Sequence, residues 1–520
     1  MKVLLAEPTL RAAVDLLKAQ PGWEVVASNP KEFEQYLSDC DALILRSGVK
    51  LTAETFAKAP KLRVVGRAGV AVDNVDLEAA TARGVLVMNT PGGNAVSVAE
   101  HTLGLLLALA RRIPQAHAST KAGNWDKRKF LGNELRGKTL GIVGLGSIGR
   151  GVAQRARAFE MRLIAHDPYV NPATAKDLGI ELMPLAKLYA QSDYISMHVA
   201  LTPSTQAMIN DTAIMLMKPG VKIVNCARGE LIDGAALARG LESGKVAGAA
   251  LDVFQMEPPA AGEPLLAMDN VVATPHIGGA TEEAHETVGV RIVEQVIDYL
   301  NNGVALNAVN LPALTAEQYE TVGPQVSLAE KLGTFAANIS AGNPQAITLV
   351  YTGKIVELAT HLIRNAGVAG ALAPSAERRP NLVNSLQIAR DRGIDVGERQ
   401  ENVNSPTDSI RVILETDTGK TVVEGSVVLG KPRLTSVDGI ACEAPLTGHL
   451  TFMKNDDVPG VIGYIGTVLG QNGVNIATFS LGRKDAQAVS VIETDQKVPE
   501  AVLQRVLENK AVTLARSVEF

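Results

Sequence analysis

KTLGIVGLGSIGRGVAQRARAFEMRLIAHD, residues 138–167, is the stretch from which the whole chain can be read. Thr139 to Val143 is a short apolar run of the kind that fills a buried parallel strand. Gly144, Gly146 and Gly149 form a GxGxxG turn, the spacing predicts a helix from Ser147 to about Phe159, and a second strand, Arg162 to His166, ends on Asp167. The three glycines serve different ends. Gly144 permits the tight turn, Gly146 lets backbone approach a pyrophosphate, and Gly149 lets helix and strand pack closely. The helix start, with Ser147 and Ile148, offers free N–H groups and a positive dipole end to phosphates. Asp167 stands near the ~20-residue spacing of an acid that accepts ribose hydroxyls. A carboxylate there repels a 2′-phosphate, so the pattern points to NAD over NADP. In a chain with 47 glycines the motif alone is weak. Strand, helix and terminal acid in register make it specific.

Composition bounds the rest. A length of 520 residues predicts three or four domains, and 46% hydrophobic residues can give each a core. The formal charge of −5 leaves no basic footprint for nucleic acid. Cys40, Cys226 and Cys442 are too few and too scattered for a disulfide framework or a metal site. MKVLLAEPTL reads as a strand and not a leader, and the apolar run Leu103 to Ala110 is far short of a membrane span. The expectation is a soluble, cytoplasmic protein with no membrane or nucleic-acid partner.

Residues 2–89 alternate apolar runs at 3–5, 24–27, 42–45, 64–65 and 85–88 with helical patterns at 11–18 and 77–83, which predicts a parallel α/β domain without a glycine fingerprint. Polar residues close its strands: Arg46-Ser47, and Gly66-Arg67-Ala68-Gly69. Such ends are where open α/β sheets bind ligands, and paired arginines suit an anion. Two solvated surface arginines are the plainer alternative. Ser97 to Arg111 reads as an apolar helix shared by two domains, broken near Pro114 and followed by a basic arm, Trp125 to Lys129. The nucleotide half continues through strands at 194–197, 221–225, 249–252 and 271–273. A helix from Glu282 to Asn302, with an apolar stripe at Val288, Ile292, Val296 and Tyr299, is expected to return to the first domain. Asn310-Leu311-Pro312 opens a linker. Residues 326–439 mix helices with strands such as 347–351 and 410–415, and Glu377 to Pro380 reads as a loop. Residues 450–520 follow a βαββα order with a final short strand.

Three polar residues follow strands of the nucleotide fold: Arg228 in NCARGE, Glu257 in DVFQMEPP and His276 in TPHIGGAT. Moving a hydride between a hydroxy acid and nicotinamide needs a cation for the carboxylate, a base for the hydroxyl proton and a group that tunes the base. Arginine, histidine and glutamate supply these in turn, a carboxylate beside an imidazole favouring the ring's protonated form. Each alone is more often structural; their shared placement at strand ends reverses the odds. His166 and His101 read as packing residues, and His198 sits where it could line the cofactor cleft. Cys226 has no base beside it in sequence, which argues against a nucleophile.

At this point VGLGSIGRGVAQ, VNCARGELID, GAALDVFQMEPP and TPHIGGAT resemble the D-isomer-specific 2-hydroxyacid dehydrogenases. RSGVKLT, VVGRAGVAVDNVDLEAA and WDKRKFLG resemble more narrowly the branch of that family acting on 3-phosphoglycerate. The resemblance implies two Rossmann-like parallel-sheet lobes, an α+β intervening domain and a C-terminal ACT domain. Its divisions would be 1–97 with 282–308 for substrate, 98–281 for NAD, 309–446 for the intervening domain and 447–520 for the ACT domain. It implies Arg228, Glu257 and His276 as catalytic, and Gly144, Gly146, Ser147, Ile148, Gly149, Asp167, Cys226 and Asp252 as cofactor contacts. Arg46, Arg67, Gly69 and Asn94 would hold substrate, with Lys127 or Arg128 reaching a neighbouring subunit's phosphate. It further implies a homo-oligomer, dimer or tetramer, with an L-serine effector at Asp457 and Asn475. Val70, Ala71 and Val199 depart from the family's polar residues at cofactor contacts, and Asn455 replaces a histidine or tyrosine of serine-regulated members. A dehydrogenase of another D-2-hydroxy acid, such as glycerate, and an NAD-sensing corepressor-like protein are the alternatives.

Overall fold

The computed structural model describes residues 1–8, 11–312, 316–375, 380–401 and 405–520. The chain divides into two compact units, Thr90–Arg291 and a second made of Met1–Asn89 with Ile292–Phe520. The expected loop at Glu377 to Arg379 lies outside the described residues, as do the linker residues 313–315.

In the Thr90–Arg291 unit, strands β6 (Thr139–Val143), β7 (Arg162–His166), β8 (Glu181–Leu182), β9 (Tyr194–Met197), β10 (Val221–Asn225), β11 (Val246–Leu251) and β12 (Val271–Ala273) form one sheet, and β1–β5 belong to the other unit. The sheet order is β12-β11-β10-β9-β6-β7-β8 with every pairing parallel. Strand order reverses between β6 and β9, and the GxGxxG turn leaves β6 at that switch point, where such sheets take ligands. Most of these strands were legible from the sequence; β8 was not, being two residues long, and β11 begins at Val246, ahead of the apolar run expected at 249–252.

The helix expected at 97–111 starts at Ala95 and buries nine of its side chains, among them Val98, Leu105 and Leu106. It ends because Arg112 takes φ 53°, and a new helix, Ile113–Lys121, begins with Pro114 in its first turn. Residues 90–97, expected with the first domain, are grouped with the nucleotide unit. There Val288 and Asn94 crowd the backbone at Gly93 and Gly279, with 2.6 and 2.7 Å left for an added Cβ.

In the other unit, β1 (Lys2–Leu5), β2 (Glu24–Ala27), β3 (Ala42–Leu45), β4 (Val64–Arg67) and β5 (Leu86–Met88) make a parallel sheet in the order β2-β1-β3-β4-β5. Ala42 to Leu45 is buried throughout, as a strand covered on both faces must be. The helix Glu282–Asn302 has the expected bounds, and from Ile292 onward it belongs to this unit. Ile292 and Val296 lie against Gly66, where a Cβ would come within 2.8 Å of either.

Residues 316–445 build a six-stranded mixed sheet packed on two helices, Ala316–Ile339 and Thr360–Leu372. The helices touch backbone to backbone: a Cβ on Gly333 would fall 2.1 Å from the Gly367 carbonyl oxygen, and one on Gly370 2.0 Å from that of Glu330. The last 72 residues, 449–520, give β-α-β-β-α-β with a four-stranded antiparallel sheet. Met453, Ile492 and Ala515 face its own helices. The opposite face, with Leu450, Phe452, Val489, Val491 and Val518, shares a core with Phe335, Leu434 and Val437 of the preceding domain. Phe335 and Phe452 meet edge to face at 5.7 Å.

Candidate active site

The GxGxxG turn has the geometry its residues predict. Gly144 has φ 93°, and a Cβ there would lie 2.5 Å from the His198 carbonyl oxygen. A Cβ on Gly149 would lie 2.1 Å from the Gly144 oxygen, so helix and strand need that glycine to pack. Gly146 differs: an added Cβ would meet no protein atom within 4 Å, so the fold itself does not demand a glycine there. Space kept clear beside a helix start whose N–H groups have no side-chain cap suits a pyrophosphate. Asp167 accepts the Leu145 N–H at 2.8 Å through Oδ2 and the Tyr169 N–H at 2.9 Å through Oδ1, which fixes its carboxylate beside the turn. These residues fit a dinucleotide. Val199 also lies against Gly144, and presents no hydroxyl to it.

His198 contributes its backbone to that turn, while its ring is turned inward. Nε2 lies 2.7 Å from Ser196 Oγ, Nδ1 has no partner, and burial pushes the ring down to about 4, so it is neutral. Cys226 is likewise turned into the core beside Val98 and Leu106, and burial pushes its thiol up to about 12. That protonated thiol is no nucleophile, and any cofactor contact from this residue falls to its backbone.

Three loops carry the polar triad. Asn225, 1% exposed, shapes the first by donating Nδ2–H to the Arg228 carbonyl at 2.8 Å and accepting the Ala227 N–H at 3.0 Å. Arg228 in turn donates to the Ala227 carbonyl at 2.6 Å. Gly229 then passes so close to the second loop that a Cβ would sit 2.0 Å from the Phe254 carbonyl carbon. That second loop brings Glu257, whose Oε1 accepts the Phe254 N–H at 3.1 Å. Its Oε2 lies 2.6 Å from His276 Nδ1, the contact that spacing and chemistry anticipated. Both side chains stay accessible, 49% for His276 and 37% for Glu257, so the pair can meet a ligand.

The third loop is fixed by Asp252, which is 1% exposed. Its Oδ1 accepts Thr274 Oγ1–H at 2.6 Å and the Ile277 N–H at 2.9 Å; Oδ2 accepts the Gly278 N–H at 2.8 Å. His101 Nε2 stands 3.3 Å from Oδ1 and 3.1 Å from Thr274 Oγ1. Burial raises the Asp252 carboxyl, but donors from His101, Thr274, Ile277 and Gly278 outweigh it and hold the group below the usual range. His276 itself sits at φ 53°, a left-handed conformation unfavourable for a side chain with a Cβ, held by its N–H to the Asp252 carbonyl at 2.8 Å. Asp252 thus positions the loop that bears His276. Asn94, against Gly279 of the same loop, keeps a buried Oδ1 without a partner. That orphan is what a substrate or cofactor hydroxyl or amide would satisfy.

In the other unit, Glu7 at the end of β1 accepts the backbone N–H groups of Arg46, Gly48 and Val49 at 2.8, 3.1 and 3.1 Å. Asn74 donates to the carbonyls of Arg46 and Val49 at 2.7 and 2.6 Å and faces Arg67 Nε at 3.5 Å. The two arginine loops are therefore tied together. Arg67 lies over Gly69, at φ 144°, so closely that a Cβ would collide with its guanidinium. Val70, where the family has a polar residue, is 37% exposed and adds no hydroxyl. Glu7, Asn74, Asn225 and Thr274 were not singled out from sequence, and His101, read as packing, instead meets Asp252 and Thr274. An acid closing β1 and a polar residue inside each of the motifs NCARG and TPH were the available signals. Lys127 and Arg128 lie on an exposed loop whose N–H groups turn on Asp126.

Within the C-terminal sheet domain, Asp457 pairs with Arg483 at 2.6 Å and Asn475 donates to Asp495 at 2.8 Å. Asn455 is 7% exposed and its Oδ1 has no partner. Among the described residues no three His, Cys, Asp or Glu side chains are grouped to hold a metal, and no helix is long and apolar enough to cross a membrane.

Residues 103–278 match the D-isomer specific 2-hydroxyacid dehydrogenase NAD binding domain, 321–438 the D-3-phosphoglycerate dehydrogenase intervening domain, and 449–510 the ACT domain. The D-3-phosphoglycerate dehydrogenase of Methanocaldococcus jannaschii is 41% identical over 512 residues, 98% of either chain. That of Bacillus subtilis is 38% identical over 486 residues, 92% of each. Among solved structures, D-lactate dehydrogenase from Aquifex aeolicus, complexed with NAD and lactic acid, superposes with a TM-score of 0.53 at 30% identity over 60% of this chain and all of that one. A glyoxylate reductase from Paecilomyes thermophila gives 0.54 at 31% identity over 59% of this chain and 98% of that one. With the dinucleotide turn, the His276–Glu257 pair and matches along the full length, the chain belongs to the D-isomer specific 2-hydroxyacid dehydrogenase family, in its NAD-dependent D-3-phosphoglycerate dehydrogenase branch.

Proposed function

We propose that the chain oxidises D-3-phosphoglycerate to 3-phosphooxypyruvate with NAD, the step that opens phosphorylated L-serine synthesis. The observation that carries this reading is the 2.6 Å contact between His276 and Glu257, whose loop packs against the one that bears Arg228. NAD, held at Gly144 to Gly149 and Asp167, supplies the hydride acceptor when bound. Arg228 binds and orients the substrate carboxylate through paired donors. His276, its Nδ1 fixed by Glu257, takes the hydroxyl proton at Nε2, and Glu257 stabilises the imidazolium so formed. Arg46 and Arg67, with Gly69 and Asn94, hold the substrate's anionic ends, and Lys127 or Arg128 reaches the phosphate from a neighbouring subunit of a homo-oligomer. Three buried free cysteines suit a reducing, cytoplasmic setting.

An NADH-appearance assay across D-3-phosphoglycerate, D-glycerate and D-lactate tests the assignment. Efficient turnover only with the phosphate present is expected; equal turnover of glycerate would transfer the chain to the plain hydroxy acids. The ACT fold adds L-serine, bound near Asp457 and Asn475, as an effector. Calorimetric titration should show heat and a fall in rate. Neither appearing would leave the domain a structural role.

A further inference from the structure

At the N-terminal side of β10, β11 and β12, the edge of the sheet away from the loops of Arg228 and His276, Lys222, Ala247 and Val272 border a cavity of about 210 Å³. Lys222, the second residue of β10, lines it, and so do Arg112, Gln115 and Asn133. A lysine in a parallel strand is a poor choice for packing alone. Its Nζ meets only neutral partners among the described residues, Asn133 Oδ1 at 3.2 Å and the Tyr194 hydroxyl at 3.4 Å, and lies 5.3 Å over the Tyr194 ring. Burial, then the like charges of Lys138 and Arg112, push its pKa down. The lining residues include one acid, Asp269, which is exposed, and its carbonyl is engaged by Gln115 Nε2 at 2.8 Å. Gln115 Oε1, by contrast, is buried and has no donor. The cavity therefore combines an under-neutralised cation cluster with an acceptor that lacks a proton.

We infer that this cavity is a second anion site, built for a phosphoryl group. A phosphate near neutral pH carries the charge that Lys222 and Arg112 call for and can retain a P–OH to donate to Gln115 Oε1, whereas a carboxylate offers acceptors alone. Arg112 supplies a fork and Lys222 a point charge, the pairing such oxyanions use. The competing account is that Lys222 only stacks on Tyr194 and pins the segment at Asn133.

Trace acetylation of the intact enzyme, read at Lys222 by mass spectrometry across pH, decides between them, with exposed Lys187 as the internal reference. Without anion, Lys222 should react at lower pH than Lys187. Inorganic phosphate or D-3-phosphoglycerate should protect it and move its profile up by about one pH unit, the effect of an opposite charge at hydrogen-bond range; D-glycerate should not. Protection by phosphate alone identifies the free ion as ligand, and by the phosphomonoester alone the organic source. Arg112→Gln should weaken protection at least several-fold with turnover unchanged. No protection by either phosphate, equal protection by glycerate, or full protection retained in Arg112→Gln would overturn the site.

Discussion

Replacing Asp252 by Asn is the sharpest probe of how the histidine is held. The change is almost isosteric, so packing is preserved at a residue that is 1% exposed. An amide can still accept Thr274 and Ile277 through one oxygen, but its NH2 then faces the Gly278 N–H across 2.8 Å, donor to donor. One hydrogen bond to a charged acceptor is lost, worth about 1.5–3 kcal/mol, and a buried donor is left unsatisfied at about 1–3 kcal/mol more. The expected loss is therefore about 2.5–6 kcal/mol, concentrated in the loop 274–279. Because His276 is kept at φ 53° only by this loop, it should relax, and kcat should fall more steeply than NADH affinity. The sign of the pH response is also fixed. The folded carboxyl lies below its unfolded value, so its contribution is complete above the unfolded pKa and drains away as pH falls through the folded one. Denaturant unfolding of wild type and Asp252→Asn from pH 7 downward should converge in acid. Equal stability at pH 7, or a stability gap that does not close in acid, would refute the account of Asp252 as a charged anchor.

Glu257→Gln removes the charge facing His276 but keeps its shape. With both side chains partly exposed, the coupling is screened to about 1–3 kcal/mol, or roughly fivefold to 150-fold in kcat, measurable by NADH appearance with NADH affinity as the control. Gly146→Ala should leave the melting temperature unchanged and weaken NADH binding, whereas Gly149→Ala should destabilise the fold by more than 2 kcal/mol, on the order of an overpacked core; fluorescence titration and thermal unfolding separate the two. His198 is neutral in the fold at about 4 and ordinary when unfolded, so stability tied to it is full above pH 6.5 and is lost as pH drops toward 4, by about 3 kcal/mol; a His198→Phe variant should show a flatter acid limb in urea titrations.

How much of this the sequence disclosed follows from the range of each interaction. The GxGxxG turn, the strands about it and the helix at 282–302 rest on local steric rules and periodicity, and the expected bounds match residue for residue at Thr139–Val143, Arg162–His166 and Glu282–Asn302. Arg228, Glu257 and His276 were singled out because each lies in a loop that follows a strand, and the loops after parallel strands gather at one edge of a sheet. The residues that hold them were missed because their partners are distant in sequence. His101 meets Asp252 across 151 positions, and Glu7 serves Arg46 across 39. Nothing in the helix 95–111 marks its histidine as different from a packing residue. Asp252 was read as a cofactor contact when most of its capacity is spent on the loop beside it.

The C-terminal half illustrates the converse limit. Sequence reads a mixed stretch over 326–439 and an ACT pattern from Leu450, and the structure adds a strand, Ile440–Pro445, between them. Alternation along His449–Asp456 nevertheless buries both faces, Leu450 and Phe452 on one, Thr451 and Met453 on the other. A sheet with helices on one face needs a single apolar side; a second apolar side requires a second cover. That cover is the core around Phe335, Leu434 and Val437, so two domains distinct in pattern fold around one hydrophobic interior. An effector that repacks the ACT sheet must therefore be felt at the helix 316–339, because close-packed cores resist continuous deformation. On the proposed effector reading, the intervening domain is the part of the chain that a repacked ACT sheet would meet first.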